Sequence, residues 1–358
     1  MAEAAKAPDF KALETPCVII DVARVEANLA RVQAHATANG YQLRPHIKTH
    51  KLPRFAQRQV ALGAVGITAQ KLGEAEVMAD AGLTDIFVPY NIVGDHKLMR
   101  LVALNRRITL SVTADSDATI AGYARVFANE ERPLLVLVEC DTGGGRCGVQ
   151  SPQAALALAK AIAAAPGLRF GGLMTYPGRG RFAEAGAWLA TAKGLIETAG
   201  ISVPRVTSGN SPDIWHTGDH TVTERRPGTY IYFDRSQVEG GVASFADCAL
   251  TVLATVVSRP TPTRIVIDAG SKALSSDLLG LTGYGVLMGQ EAVAVAALSE
   301  EHGVIELPAP SASPAVGDLL RIIPNHACVV SNLYDSVHLL GPDGGVETVP
   351  VAARGRLA

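Results

Sequence analysis

The sequence predicts an α/β protein: an eight-stranded (β/α)8 barrel of the TIM type, joined to a second, smaller all-β domain. Two patterns carry this expectation. Between about residues 25 and 245, eight apolar runs of strand length alternate with Ala-rich stretches of helical spacing. Near-continuous apolar strands separated by helices indicate a parallel sheet whose faces are covered. After that the texture changes, and Val-rich runs follow one another with Pro and Gly but no Ala-rich helix between them, which reads as β structure alone.

The eight runs are Gln42–Ile47, Ala64–Ala69, Asp85–Pro89, Ile108–Thr113, Leu134–Glu139, Phe170–Thr175, Arg205–Thr207 and Gly228–Phe233. Helical spacing marks Pro53–Leu62, Lys71–Ala81, Pro152–Ala165 and Ala183–Ala199 between them. A closed parallel barrel accounts for eight such repeats, with an open doubly wound sheet as the alternative. Residues 248–258 and 264–268 open the β domain, and LPAPSASPAVGD at 307–318 lies within it. The barrel is expected over residues 25–245. The β domain takes residues 1–24 plus 246–358, including an early strand at Cys17–Asp21.

Of the 358 residues, 48% are apolar and 18% charged, enough to bury a sizeable core. A net charge of -2 gives no basis for a nucleic acid or an anionic membrane as partner. No stretch reaches the roughly 18 uninterrupted apolar residues of a membrane span. The opening MAEAAKAPDF lacks the cationic-then-apolar pattern of a signal peptide. The cysteines, Cys17, Cys140, Cys147, Cys248 and Cys328, are odd in number and widely spaced, with no CxxC. A reducing cytoplasm is therefore expected rather than a disulfide framework.

Barrel enzymes carry reactive groups at the C-terminal ends of their strands, and the notable motifs fall there. The first run ends Arg44-Pro45-His46-Ile47-Lys48-Thr49-His50-Lys51. It offers a lysine amine for imine formation, although a solvated basic loop would read the same. The fifth ends Asp141-Thr142-Gly143-Gly144-Gly145-Arg146. Its glycines admit a ligand close to the backbone, and its arginine offers a planar fork to an oxygen anion. After the seventh comes Ser208-Gly209-Asn210-Ser211-Pro212, and Arg225-Arg226-Pro227-Gly228-Thr229 leads into the eighth. Hydroxyls and open N–H groups after strands 7 and 8 are where barrels commonly hold phosphate. Near the C-terminus stands Pro324-Asn325-His326-Ala327-Cys328. On a strand, positions i and i+2 share a face, so an imidazole and a thiolate there could share a zinc ion.

Taken together, RPHIKTHK, GITAQKLGEAE, DTGGGRCGV, RPGTYIYFD, DAGSKALSSD and PNHACVVSNLYD resemble the fold-type III pyridoxal-phosphate enzymes. The resemblance is to the D-threonine aldolase and D-serine dehydratase group, with alanine racemase more distant. It covers nearly the whole chain. It implies that Lys48 holds pyridoxal 5'-phosphate as a Schiff base and that Arg146 faces the cofactor's phenolic oxygen. Tyr176 would lie against the pyridine ring, and Arg226 would stand near the pyridine nitrogen. Ser211, Gly228 and Thr229 would contact the phosphate. His326 and Cys328 match the family's metal pair. Thiolate favours zinc, and an oxygen-rich open site could take manganese or magnesium.

The implied activity is a metal-dependent lyase acting on β-hydroxy-D-amino acids, of the D-threonine aldolase type, yielding glycine and an aldehyde. The alternative is a D-serine or D-3-hydroxyaspartate dehydratase, yielding ammonia and a 2-oxo acid. Amino-acid racemase and non-catalytic cofactor carrier stand behind these two. Cys328 is dehydratase-like, while LTVLATVVSRP and DAGSKALSSD are aldolase-like. The resemblance also implies a homodimer.

Overall fold

The computed structural model describes residues 10–218 and 220–358, so the opening segment read against a signal peptide lies mostly outside the described residues. These residues form two compact units. The first comprises Arg31–Lys48, Leu52–Gly228 and Gly355–Ala358; the second comprises the chain up to Ala30, Thr49–Lys51 and Thr229–Arg354. Among the described residues no helix is long and apolar enough to cross a membrane.

The second unit contains the first strand, β1 (Cys17–Asp21), and the first unit contains the next eight. These are β2 (Gln42–Leu43), β3 (Ile67–Thr68), β4 (Asp85–Asn91), β5 (Thr109–Ala114), β6 (Leu134–Cys140), β7 (Leu168–Thr175), β8 (Val206–Ser208) and β9 (Glu224–Arg225). They pair in the order β2-β9-β8-β7-β6-β5-β4-β3, and every pairing is parallel. Helices separate the strands as the 3.6-residue spacing predicts. They include Pro53–Ala61, Leu72–Asp80, Pro152–Ala164 and Phe182–Thr198, each within a residue or so of its expected bounds.

The barrel is partial rather than fully closed. Between its end strands β2 and β3 there is a single bridge, His46 with Thr68. Both strands are only two residues long, and Pro45 interrupts the seam because it has no N–H to donate. The eighth strand also differs from expectation: it is Glu224–Arg225, not Gly228–Phe233. Pro227 cannot extend the ladder, Thr229–Ile231 coil into a 3-10 turn, and Phe233 adopts a positive φ of 44°.

The sheet interior is layered. At one level Phe87, Leu137 and Met174 pack together, fully buried. At another, Glu224 Oε2 accepts from Arg44 Nε at 2.8 Å and lies 3.7 Å from Arg205 Nη1. Arg44 also reaches Asp85 at 2.5 Å. Burial by itself would raise the Glu224 carboxyl, but Arg44 and Arg205 outweigh it and hold it below the ordinary carboxylate range.

The second unit is antiparallel apart from one pair. Its remaining strands are β10 (Leu250–Ser258), β11 (Arg264–Ile267), β12 (Gly285–Leu287), β13 (Gln290–Leu298), β14 (Gly303–Glu306), β15 (Leu319–Pro324), β16 (Ser336–Leu340) and β17 (Val346–Pro350). The order β11-β14-β13-β12-β15-β10, with β11 returning to β10, closes a six-stranded barrel. β1 adds to it through β10 and carries β16 and β17 on its other side. The segment carrying His326 and Cys328 is not a strand. β15 ends at Pro324, His326 caps a short helix at Ala327–Leu333, and Cys328 lies in its first turn. Strand alternation therefore does not bring the pair together; the turn into the helix does.

The buried charges of the first unit predict an acid-sensitive contribution to stability. A depressed carboxyl stabilises the fold above its unfolded-state value, and that contribution is lost as pH falls through its folded value. Glu224→Gln leaves the buried Arg205 without its counter-charge and Arg44 with Asp85 alone, and is expected to cost about 3–5 kcal/mol in urea unfolding at neutral pH. The difference from the wild type should shrink in acid.

Candidate active site

In the first unit, Lys48 is half-buried in the 3-10 turn Ile47–Thr49 that follows β2. Its backbone N–H donates to His46 Nδ1 at 3.3 Å. His46 Nε2 in turn meets Gln70 Oε1 at 2.9 Å, just beyond β3.

The glycine loop after β6 is organised by Asp141, whose Oδ1 accepts from Gly143, Gly144 and Gly145 N–H at 2.9, 2.8 and 3.1 Å. Partial burial raises this carboxyl, but the glycine N–H groups more than compensate and hold it low. Gly148 ends the loop at φ +116°, where a Cβ would come within 2.5 Å of the Asp141 backbone nitrogen. Only glycine lets the loop fold back so tightly. The loop presents Arg146, whose guanidinium carbon lies 4.9 Å from the centroid of the Tyr176 ring. The two residues named for the cofactor's oxygen and ring therefore meet each other.

Arg226 is buried, donating to Thr207 Oγ1 and to Thr175 O, the latter at 2.6 Å. Desolvation pulls it down to about 10, against the pull of Glu224. Its neighbour Arg225 does not share this place. It donates to His216 O and lies over the Tyr41 and Phe182 rings at 4.0 and 4.4 Å. Ser211 Oγ accepts from Gly228 N–H at 3.2 Å, so these two phosphate candidates adjoin.

Ser208, at the tip of β8, was not singled out from the sequence. Its Oγ is buried with no hydrogen-bond partner among the described residues. A hydroxyl in that state costs free energy unless something accepts or donates to it. With Gly209 next to it at φ +103°, this strand end fits a bound oxygen-rich group such as a phosphate.

In the second unit, His326 Nδ1 lies 2.6 Å from Asp277 Oδ2, and the ring also hydrogen-bonds the Cys328 side chain, so the two candidate metal ligands adjoin. Burial pulls the imidazole down, but Cys328 and Asp277, with Asp234 behind them, hold it up at about 9. Cys328 Sγ is 3.1 Å from Thr49 Oγ1 and 3.4 Å from Thr229 Oγ1, so the Thr229 hydroxyl is directed at sulfur. Asp234 anchors the turn by accepting from Ala327 N–H at 2.9 Å and Ser236 Oγ at 2.7 Å. Among the described residues no group of three or more His, Cys, Asp or Glu side chains could hold a metal. A closed structural zinc site is thus not built. A histidine and a cysteine, with open positions left for oxygen ligands, fit a catalytic ion instead. Asp277, also missed from the sequence, ends the DAGSKALSSD motif.

Residues 20–236 match the alanine racemase N-terminal domain family, and residues 249–340 a serine dehydratase domain. The chain belongs to the fold-type III pyridoxal-phosphate enzymes. Within that family it is 33% identical over 360 residues to a D-threonine aldolase of Arthrobacter sp., covering 96% of this chain and 93% of the relative. The crystal structure of D-threonine aldolase from Filomicrobium marinum superposes with a TM-score of 0.90 at 32% identity, over 99% of this chain and 100% of that one. D-threo-3-hydroxyaspartate dehydratase from Delftia sp. HT23 gives 0.88 at 31% identity, over 96% and 99%. A dehydratase of that name is also known as a cysteine-to-alanine mutant in the metal-free form.

If Asp277 orients His326 for a metal, Asp277→Ala should weaken the binding of titrated Zn2+ by about 10–100-fold, the usual effect of losing such a support. Competition with a chromophoric chelator reads this directly, and an unchanged affinity would remove Asp277 from the site.

Proposed function

We propose that this protein is a pyridoxal-phosphate- and metal-dependent lyase of β-hydroxy-D-amino acids, of the D-threonine aldolase type. The observation that carries the reading is the cluster of His326, Cys328 and Asp277 in the β unit. A racemase or a cofactor carrier has no use for a metal pair of this kind. A lyase that breaks a bond beside a β-hydroxyl does.

Bound pyridoxal phosphate supplies an electron sink for the bond broken at Cα, and a divalent ion supplies a Lewis acid for the β-oxygen. Lys48 would hold the cofactor through its side-chain amine and, when that amine is free, would hold or move a proton at the substrate Cα. Arg146 would donate to the phenolic oxygen, and the Tyr176 ring would lie against the pyridine. The Arg226 guanidinium, buried and pinned by Thr207 and Thr175, would stand near the pyridine nitrogen and discourage protonation there. Ser211 and Gly228 would hold the phosphate, joined by Ser208, whereas Thr229, whose hydroxyl is directed at sulfur, would contribute only its backbone N–H. His326 and Cys328 hold the ion, for which the thiolate favours zinc over manganese or magnesium. Two protein ligands are too few to hold a fold together, so the remaining positions belong to water and substrate oxygen.

Cys328 favours a second reading. A cysteine-to-alanine change accompanies the metal-free form of the hydroxyaspartate dehydratase, and a cysteine ligand there would place this chain nearer the dehydratases. The same residues would serve both reactions.

Product analysis with D-threonine, D-phenylserine and D-serine distinguishes the two. Glycine plus aldehyde is expected; ammonia plus a 2-oxo acid would establish the dehydratase. Exhaustive chelation should abolish turnover while leaving the melting temperature and bound cofactor nearly unchanged. Full activity after chelation would remove the ion from the mechanism.

A further inference from the structure

His46 has no part in the roles assigned above, yet it is buried two residues before the reactive lysine. The backbone around Lys48 needs an anchor. The ladder of β2 ends at Leu43, and the last ladder-like bonds are Arg44 N–H to Arg225 O and His46 N–H to Pro227 O. Beyond them the chain enters a three-residue 3-10 turn, too short to be rigid by its own hydrogen bonds. The bond from Lys48 N–H to His46 Nδ1 at 3.3 Å supplies a tie that the sheet does not.

That bond dictates the state of the ring. A backbone N–H can only donate, so Nδ1 must present a lone pair. A neutral imidazole then carries its proton on Nε2. The partner of Nε2 must therefore accept, which requires Gln70 to turn its amide oxygen towards the ring, as it does at 2.9 Å. Gln70 is itself fixed, because its backbone N–H donates to Glu74 Oε2 at 2.7 Å. Glu74 is buried at the start of the helix Leu72–Asp80, where it also accepts from Lys71 N–H at 3.2 Å. The chain Glu74, Gln70, His46, Lys48 is thus a relay of donors and acceptors with one consistent direction, built from two adjacent strand ends. A neutral amide at position 70 suits this task. A carboxylate there would favour a doubly protonated ring, whose Nδ1–H would confront Lys48 N–H.

The geometry points to His46 as a positioning residue for Lys48: its imidazole, locked by Gln70 as the Nε2–H tautomer, fixes the turn that presents the amine to the cofactor. This rests on the reading of Lys48 as the cofactor lysine. A lysine whose Cα wanders pays for cofactor attachment in lost conformational freedom, so the relay acts on affinity and on the amine's orientation rather than on the chemistry itself.

The test combines the ring's tautomer with cofactor affinity. Nitrogen-15 imidazole spectra of the full-length protein should show His46 protonated at Nε2 and bare at Nδ1. Titration with pyridoxal phosphate should then rank the variants. Asn places its Oδ1 near the position of Nδ1, so His46→Asn should bind the cofactor within about threefold of wild type. His46→Gln and His46→Ala should lose about tenfold, a typical result of deleting one buried hydrogen bond. Gln70→Glu should lose at least as much and show His46 protonated on both nitrogens. Gln70→Leu leaves His46 in place but removes the acceptor of its Nε2–H, and provides the same test should His46→Ala fail to fold: it too should lose about tenfold in cofactor affinity. Wild-type spectra with the proton on Nδ1, or His46→Asn binding as weakly as His46→Ala, would overturn the proposal alone. A wild type that does not bind pyridoxal phosphate would overturn the reading of Lys48 and this inference with it.

Discussion

Parallel pairing is the constraint on which the barrel unit depends. Because β2 through β9 all run the same way, their C-terminal ends lie on one side, and whatever those ends carry is gathered there. The turn holding Lys48, the loop holding Arg146, Tyr176 after β7, and Ser208 at the tip of β8 come from four different strands. None of them is near another in sequence. Side chains that would be loop residues in another topology become a single constellation because the hydrogen-bond direction of the sheet leaves them no alternative.

The same sheet explains why two adjacent arginines find different surroundings. Successive side chains on an extended segment point to opposite faces. Arg226 points inward, towards Thr207 and Thr175, and burial pulls it down to about 10. Arg225 points outward and is absorbed by Tyr41, Phe182 and His216 O. Beneath, Arg44, Arg205 and Glu224 fill the barrel with paired charge rather than hydrocarbon. Such pairing contributes less to stability than to geometry, since removing one partner leaves the others unpaired.

Much of this was legible in the sequence because strand ends are local features. Apolar runs give the strands, and the residues following each run give the site candidates, Lys48, Arg146 and Ser211 among them. The exceptions have local causes. Pro227 stopped the last strand short, and the i, i+2 spacing of His326 and Cys328 was read as strand alternation where the chain turns into a short helix. The supporting residues were not legible because they act across long separations. Gln70 meets His46 from 24 residues away, and Asp277 meets His326 from 49. Nothing in either residue's immediate surroundings announces such a partner. Ser208 was quoted within its motif, but only its unmet hydroxyl distinguishes it from an ordinary turn serine.

The central claim is that the turn after β2 presents the lysine that carries the cofactor. Borohydride reduction of the holoenzyme, followed by proteolysis and mass mapping, tests it most directly, because reduction converts the imine to a stable amine at the residue that formed it. The account predicts a single pyridoxyl group on the peptide containing Lys48, and none after Lys48→Ala. A pyridoxyl group on Lys51, Lys71 or any other lysine, with Lys48 unmodified, would contradict it.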